Sequence, residues 1–187
     1  MRVASWLTGL AAFTATADEE TRAEIVTRLF DGVAPDSFLR GFDRPNIHLA
    51  FAVKDSPRDQ ILRFAAARKG QSGIVYTASR ARTEVLAQAL REAGHSACHY
   101  HGGMEAGDRR DVEVRFQQED GLIVCATIAF GMGIDKPDIR WVAHADLPKS
   151  IESYYQEIGR AGRDSLPAET LTLYGPDDIR LRRSQID

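Results

Sequence analysis

Apolar and polar positions divide the 187-residue chain into short apolar runs separated by longer amphipathic stretches. The runs at 47–53, 73–78, 97–100, 122–126, 141–145 and 169–174 are short, rich in branched and aromatic residues, and mostly bounded by turn residues, which predicts six strands. The run at 122–126 is apolar throughout, as a strand covered on both faces of a parallel sheet must be. Thr16 and Glu19 have capping-box spacing at the start of a helix whose buried face is Ile25, Val26, Leu29 and Phe30, with Gly32 as its stop. Ser56 and Pro57 open a second helix, with Ile61, Leu62 and Ala65 inward and Gly70 at its end. A third runs from Ser79 to Ala93, with Val85, Leu86, Ala89 and Leu90 on one face and Gly94 after it. A fourth spans 104–118, where Val112, Val114 and Phe116 define no clear apolar stripe. Strands alternating with helices predict an α/β fold, a mainly parallel sheet flanked by helices on both faces.

Composition fits that picture: 43% hydrophobic and 27% charged residues are ordinary for a globular chain with a substantial core. The net charge of −3 provides no global basic field, so any contact with nucleic acid must be local and carried by loops. Cys98 and Cys125 lie in apolar runs and read as small buried hydrophobes, which suits a cytoplasmic setting. Residues 42–46 are turn-rich and mark a junction between residues 1–46 and 47–187. At the start, Arg2, an apolar run from Val3 to Phe13 and Ala15-Thr16-Ala17 imitate a secretory signal, but the run is too short to span a membrane.

The stretch with most chemistry is Gln156-Glu157-Ile158-Gly159-Arg160-Ala161-Gly162-Arg163, a Q-x-x-G-R-x-G-R pattern. Arginines three apart share one side of a helical turn, and their guanidinium forks suit phosphate oxygens. The flanking glycines let a ligand or a facing backbone come close. Taken singly, these arginines could equally form surface pairs with Glu152, Glu157 and Asp164. The whole run from Asp146 to Asp164 resembles motif VI of the superfamily 2 helicases, and the RecQ family of ATP-dependent DNA helicases in particular. In that family the motif lies on the C-terminal, second RecA-like lobe and faces ATP bound by the first.

Three loops follow predicted strands, where ligands collect in such sheets. Ser79 can cap the next helix, whose free N–H groups can hold a phosphate; residues 77–80 resemble the family's motif IV, which implies backbone contact with DNA through Ser79 and Arg80. Residues 126–138 form a Gly-rich turn closed by Pro137, and they resemble motif V. That resemblance implies a strand phosphate on Thr127 and nucleotide near Gly131 and Asp135. Residues 99–103 resemble the family's Y-H-A-G-L stretch. His101 there could meet nucleic acid or simply hold the turn. His99 and His101 are taken to point to opposite faces of an extended segment; with no cysteine nearby, no metal site is expected. Ala12 to Ala17 resemble motif III, with Phe13 in place of the usual leucine. Ser165 stands where glycine is usual after the arginines.

The sequence contains no G-x-x-x-x-G-K-[ST] phosphate loop and no D-E-x-H run. The family's four-cysteine zinc module is missing as well. The resemblance therefore implies the second lobe of a 3′-to-5′ DNA helicase, with residues 1–46 holding the end of a first lobe and the linker. ATP and Mg²⁺ would be shared with that first lobe, single-stranded or duplex DNA would be the partner, and Arg163 would be the arginine finger, with Arg160 and Gln156 at the γ-phosphate. The alternative is a catalytically inactive lobe that binds nucleic acid or a partner ATPase without turnover. A methyltransferase-like nucleotide domain would need an early Gly-rich loop, which the sequence lacks.

Overall fold

The structure, a computed structural model, describes residues 10–12, 19–38, 43–131 and 133–183. The motif III resemblance, the signal-like run and the Thr16 cap fall wholly or mainly outside the described residues. The chain divides into two compact units, residues 1–42 and 43–187. The described residues of the first unit centre on helix α1 (Glu19–Leu29), with acidic Glu19 and Glu20 where the helix dipole favours them. Its end is a left-handed turn at Asp31 and Gly32, with the Gly32 N–H bonded to the Val26 carbonyl. The face predicted to be buried is not: no residue of α1 is fully buried and Leu29 is 50% exposed. Among the described residues of its unit no other helix or strand faces that stripe.

The second unit follows the order β1 (Ile47–Val53), α2 (Pro57–Ala66), β2 (Gly73–Tyr76), α3 (Arg80–Glu92), β3 (Ala97–Tyr100), α4 (Ala106–Gln118), β4 (Ile123–Ala126), β5 (Trp141–His144), α5 (Ile151–Ile158), β6 (Ala168–Tyr174) and α6 (Pro176–Arg183). The strands form one parallel sheet in the order β1-β6-β5-β2-β4-β3, the expected architecture. β2, β4 and β5 are buried at every position, which is why their sequences are runs and not alternations.

Side chains alternate between two cores. Val75, Ile123, Cys125, Trp141 and Ala143 pack under α2 and α3, through Ile61, Ala65, Leu86 and Leu90. Ile74, Tyr76, Val124, Ala126 and Val142 face the other way, under Val112 and Phe116 of α4 and the segment carrying Phe130, Ile134 and Ile139. The four-residue spacing of Val112 and Phe116 defines the α4 face, and Val114 lies outside it, 45% exposed. Val85, expected inward on α3, is 60% exposed; the buried stripe is Thr83, Leu86, Ala87, Ala89 and Leu90. Both cysteines are buried and free. Burial pushes the Cys98 thiol up to about 11.

One charge cluster ties the carboxyl end of the sheet together. Asp146, just past β5, accepts from the Ala78 N–H (2.9 Å), from Lys54 (2.9 Å) at the end of β1 and from Arg82 of α3. Lys54 also reaches Asp178 of α6 at 2.7 Å. Burial works against the Asp146 charge, but the Ala78 amide, Lys54 and Arg82 together hold its carboxyl below the usual carboxylate range. A depressed folded-state value contributes stability above the unfolded value, near pH 4, and loses it as pH falls through the folded one. Asp146→Asn is therefore expected to cost roughly 3 kcal/mol at pH 7, with the gap to wild type narrowing below about pH 4. Urea melts across pH 3–8 measure this; a pH-independent gap would remove the charge from the explanation.

Candidate functional site

The arginine motif straddles a helix end. Gln156 sits exposed in the last turn of α5, while Gly159 is the C-cap and Arg160 and Arg163 lie in the turn beyond it. The two arginines thus do not share a continuous helical turn, as their spacing predicts. They share a target instead. The Arg160 guanidinium bonds the Gly131 carbonyl, and Arg163 reaches the Ile134 carbonyl (3.0 Å) and the Asp135 carboxylate (2.8 Å). The motif V-like and motif VI-like stretches, 29 and 28 residues apart at these contacts, are one site. Gly131 has φ +124°, and a Cβ there would overlap the Arg160 guanidinium, so only glycine leaves room for it. Of the surface pairs considered for the arginines, none with Glu157 or Asp164 forms: Asp164 is held by Arg140 at 2.7 Å, and Glu157 by His144.

The turn itself is fixed by residues the sequence left in the linker. Arg44 donates to the carbonyls of Gly159 (3.2 Å), Ala161 (2.9 Å) and Gly162 (3.0 Å). Asn46 donates to those of Gly162 (2.8 Å) and Leu166 (3.0 Å). Gly162 (φ +57°) and Ser165 (φ +67°) both adopt left-handed backbone, and Ser165 does so where the family pattern has glycine. Arg44 and Asn46 precede β1, and residues 159–167 precede β6, so this turn lies toward the amino ends of those strands.

Beneath α5 lies a second group that sequence reasoning missed. His144, fully buried at the end of β5, places Nε2 2.8 Å from the Glu157 carboxylate and Nδ1 3.4 Å from the Thr172 hydroxyl. Tyr76 stacks on the imidazole at 5.5 Å, and its hydroxyl donates to the Phe130 carbonyl at 3.4 Å. Burial pushes the Tyr76 phenol well above its ordinary value, against the pull of Arg160. The sequence signal was slight: a glutamate inside a motif and a histidine ending an apolar run.

The expected DNA-contacting residues sit at the carboxyl ends of β2, β3 and β4. The Ser79 hydroxyl caps α3 by accepting from the Arg82 N–H (3.3 Å), and Arg80 is exposed, its guanidinium against Gly103. Thr127 is half-buried just after β4, its amide bonded to the Tyr100 carbonyl at 3.2 Å. His101 is buried: Nδ1 accepts from the Gly103 N–H (3.2 Å) and Nε2 faces Glu84 at 2.9 Å, so it holds the turn. His99 and His101 do not point apart. Residues two apart in a strand share a face, and their rings stack at 5.5 Å. With Glu84 they form a group of three potential ligands. However, a histidine binding metal through Nε2 must turn an N–H outward at Nδ1, and here Nδ1 faces the Gly103 N–H.

The family model of the helicase conserved C-terminal domain matches residues 56–165, and the chain belongs to that family. Its relatives refine the class. It is 49% identical over 169 residues to the ATP-dependent DNA helicase RecQ of Pasteurella multocida, and 50% identical over 169 residues to that of Haemophilus influenzae. Each alignment covers 90% of this chain and 27% of the relative, so the chain spans about a quarter of the length of these curated relatives. The RecQ-like DNA helicase BLM of Xenopus laevis is 40% identical over 179 residues, covering 93% of this chain and 13% of its own length. Among solved structures, the E. coli DEAD-box protein SrmB, bound to RraA, superposes with a TM-score of 0.64 at 29% identity, over 72% of this chain and 81% of that one. Yeast Dbp5, bound to Gle1, shares the fold at a TM-score of 0.71 and 19% identity, over 93% of this chain and 46% of its own. The resemblance to RecQ helicases and the RecA-like lobe architecture both stand.

The seat of Arg160 generates a prediction. Gly131→Ala is expected to cost roughly 1–3 kcal/mol of backbone strain and to expel the Arg160 guanidinium from the loop. Thermal melting measures the first effect. The second is read from the Arg160 Nε–H resonance, buried in the wild type, which should lose its protection from exchange.

Proposed function

We propose that this chain is the second motor lobe of a RecQ-like ATP-dependent 3′-to-5′ DNA helicase. The carrying observation is the convergence of Arg160 and Arg163 on residues 131–135, which brings two stretches resembling nucleotide-facing motifs to one place. On this reading ATP binds between the two lobes, with Mg²⁺ held by the first. Closure brings Arg163 from the Asp135 carboxylate onto the γ-phosphoryl oxygens, where charge builds as the bond breaks. Gln156, exposed in the last turn of α5, orients a water or a phosphate oxygen. Arg160, seated on the Gly131 carbonyl, touches bound nucleotide from the loop side. Ser79, Arg80 and Thr127, at the carboxyl ends of β2 and β4, take strand phosphates, and hydrolysis then releases the lobes to step along single-stranded DNA.

A second reading has a specific observation behind it. The 187 residues hold no phosphate loop and no D-E-x-H run, so the chain by itself would be a nucleic-acid or partner-binding module without turnover. Two measurements on the chain alone follow. DNA-stimulated ATPase is expected to be absent; turnover by highly purified chain that Arg163→Ala abolishes would count against this. Single-stranded DNA is expected to bind weakly, with a log–log salt slope of about −0.7 per phosphate contacted. Salt-independent binding, or none at low salt, would contradict the assignment of Ser79, Arg80 and Thr127.

In the two-lobe enzyme, Arg163→Ala should lower turnover by about 10³–10⁵-fold while changing ATP affinity much less. Arg163→Lys, which keeps the charge and loses the fork, should fail as well. Steady-state ATPase at saturating single-stranded DNA, alongside nucleotide binding, is the test. If Arg160→Ala alone is impaired, the finger belongs to Arg160; if both variants turn over normally, the motif is structural.

A further inference from the structure

The apolar residues of helix α5, Ile151, Tyr154, Tyr155 and Ile158, form one stripe about 100° wide. Tyr154 and Ile158 face the sheet and are buried; Ile151 and Tyr155, also four apart, face outward at 60% and 42% exposure. A helix normally fixes its rotation by the contrast between one apolar face and one polar face. Here the buried side is turned off that stripe: Glu157 is buried, while Ile151 and Tyr155 lie outward. Turning α5 by roughly half of its 100° step per residue would centre the whole stripe on the sheet and carry Glu157 outward. It would also carry Gln156 and the turn bearing Arg160 and Arg163 away from residues 131–135.

What separates the two rotations is Glu157, on the buried side beside Tyr154 and Ile158 and only 6% exposed. A buried carboxylate costs several kcal/mol unless it is paired, and among the described residues its one partner is His144 Nε2, at 2.8 Å. The imidazole cannot follow a turning helix. It ends a fully buried strand, stacks on Tyr76, lies against Tyr154, and has its Nδ1 beside the Thr172 hydroxyl. An ionised carboxylate only accepts, so Nε2 donates to it and Nδ1 is left to accept from Thr172. Only one rotation of α5 satisfies this chain of hydrogen bonds.

We propose that Glu157 and His144 are positioning residues that set the rotation of α5 and thereby the aim of Gln156, Arg160 and Arg163. The consequence for catalysis rests on the nucleotide-facing reading of those three residues; the consequence for rotation does not. A purely structural ion pair can often be replaced by an apolar pair without loss of stability, whereas a positioning pair cannot be replaced without loss of aim.

The test uses the two-lobe enzyme with Glu157→Leu and His144→Phe combined, and Glu157→Gln singly. The double variant is expected to melt close to wild type yet lose at least about tenfold in kcat, with the KM for ATP changed far less. Glu157→Gln, which keeps an acceptor for Nε2 without the charge, should retain most of kcat. Tyrosine iodination gives the rotation directly: wild type and Glu157→Gln should label Tyr155 over Tyr154, and the double variant should lose that preference. A double variant with wild-type labelling and wild-type kcat overturns the proposal. So does Glu157→Gln showing mixed labelling, and this arm decides the matter if the double variant does not fold. Arg163→Ala runs alongside: if it turns over normally while labelling in the double variant has shifted, the nucleotide-facing reading fails and the rotational role stands.

Discussion

A helix that ends inside a folded domain leaves its last carbonyls without partners, and they must be satisfied where they fall. In α5 the carbonyls of Tyr155, Glu157 and Ile158 take the N–H groups of Gly159, Arg160 and Ala161, which winds the chain into the arginine turn. Arg44 and Asn46 supply the donors for the carbonyls of that turn, at Gly159, Ala161, Gly162 and Leu166. A guanidinium at a helix C-terminus also meets the negative end of the dipole. The rest of the site depends on this arrangement. The Gly162 carbonyl, which receives both Arg44 and Asn46, lies between Arg160 and Arg163, so the arginines leave a backbone anchored on the amino side of the sheet. Their guanidinium groups reach residues 131–135.

That contact links two parts of the sheet that the strand order keeps apart. Ser79, His101 and Thr127 follow β2, β3 and β4, so they gather at the carboxyl ends. The arginine turn precedes β6, at the amino ends. The chain crosses between them once in this region, through residues 127–140, which run back from the end of β4 to the start of β5. Phe130 and Ile139 are buried beneath that crossing and Arg160 and Arg163 hold its middle. On the proposed reading, a displacement of the arginines is felt by the same segment that begins with the strand-phosphate contact at Thr127.

The sheet, its parallel sense and most helix positions could be read from the sequence because burial on both faces leaves an unbroken apolar run, as at 122–126, and because Gly and Ser-Pro punctuation bounds the helices. Faces were legible where one stripe dominates, as for Ile61 and Ala65. They were misread where branched residues sit beside the stripe: Val85 looks like core by type and is outside it by angle. Residues 99 and 101 show a different failure, since period two places them on one face, as their stacked rings confirm. The motif arginines were legible as a pattern, but the groups that hold them were not. Arg44 and Asn46 act across more than a hundred residues, and the pairing of His144 with Glu157 depends on a strand end meeting a helix flank. No local periodicity encodes contacts of that kind.

The two arginines differ in how firmly the fold holds them, and the difference bears on their roles. Arg160 is half-buried, has its Nε enclosed without a partner, and fills the space that Gly131 leaves open. Moving it would open a void and strip a bonded carbonyl. Arg163 is paired with Asp135, whose side chain is 86% exposed. An exposed pair of this kind is worth at most about 1 kcal/mol, while a phosphoryl group carries more charge and offers oxygens matched to the guanidinium fork. The balance therefore favours exchange at Arg163 and retention at Arg160. On the proposed reading Arg163 acts only when the two lobes meet, and such a residue needs a weak resting partner, one that keeps its guanidinium oriented but gives it up to a stronger anion; the exposed Asp135 fits that requirement.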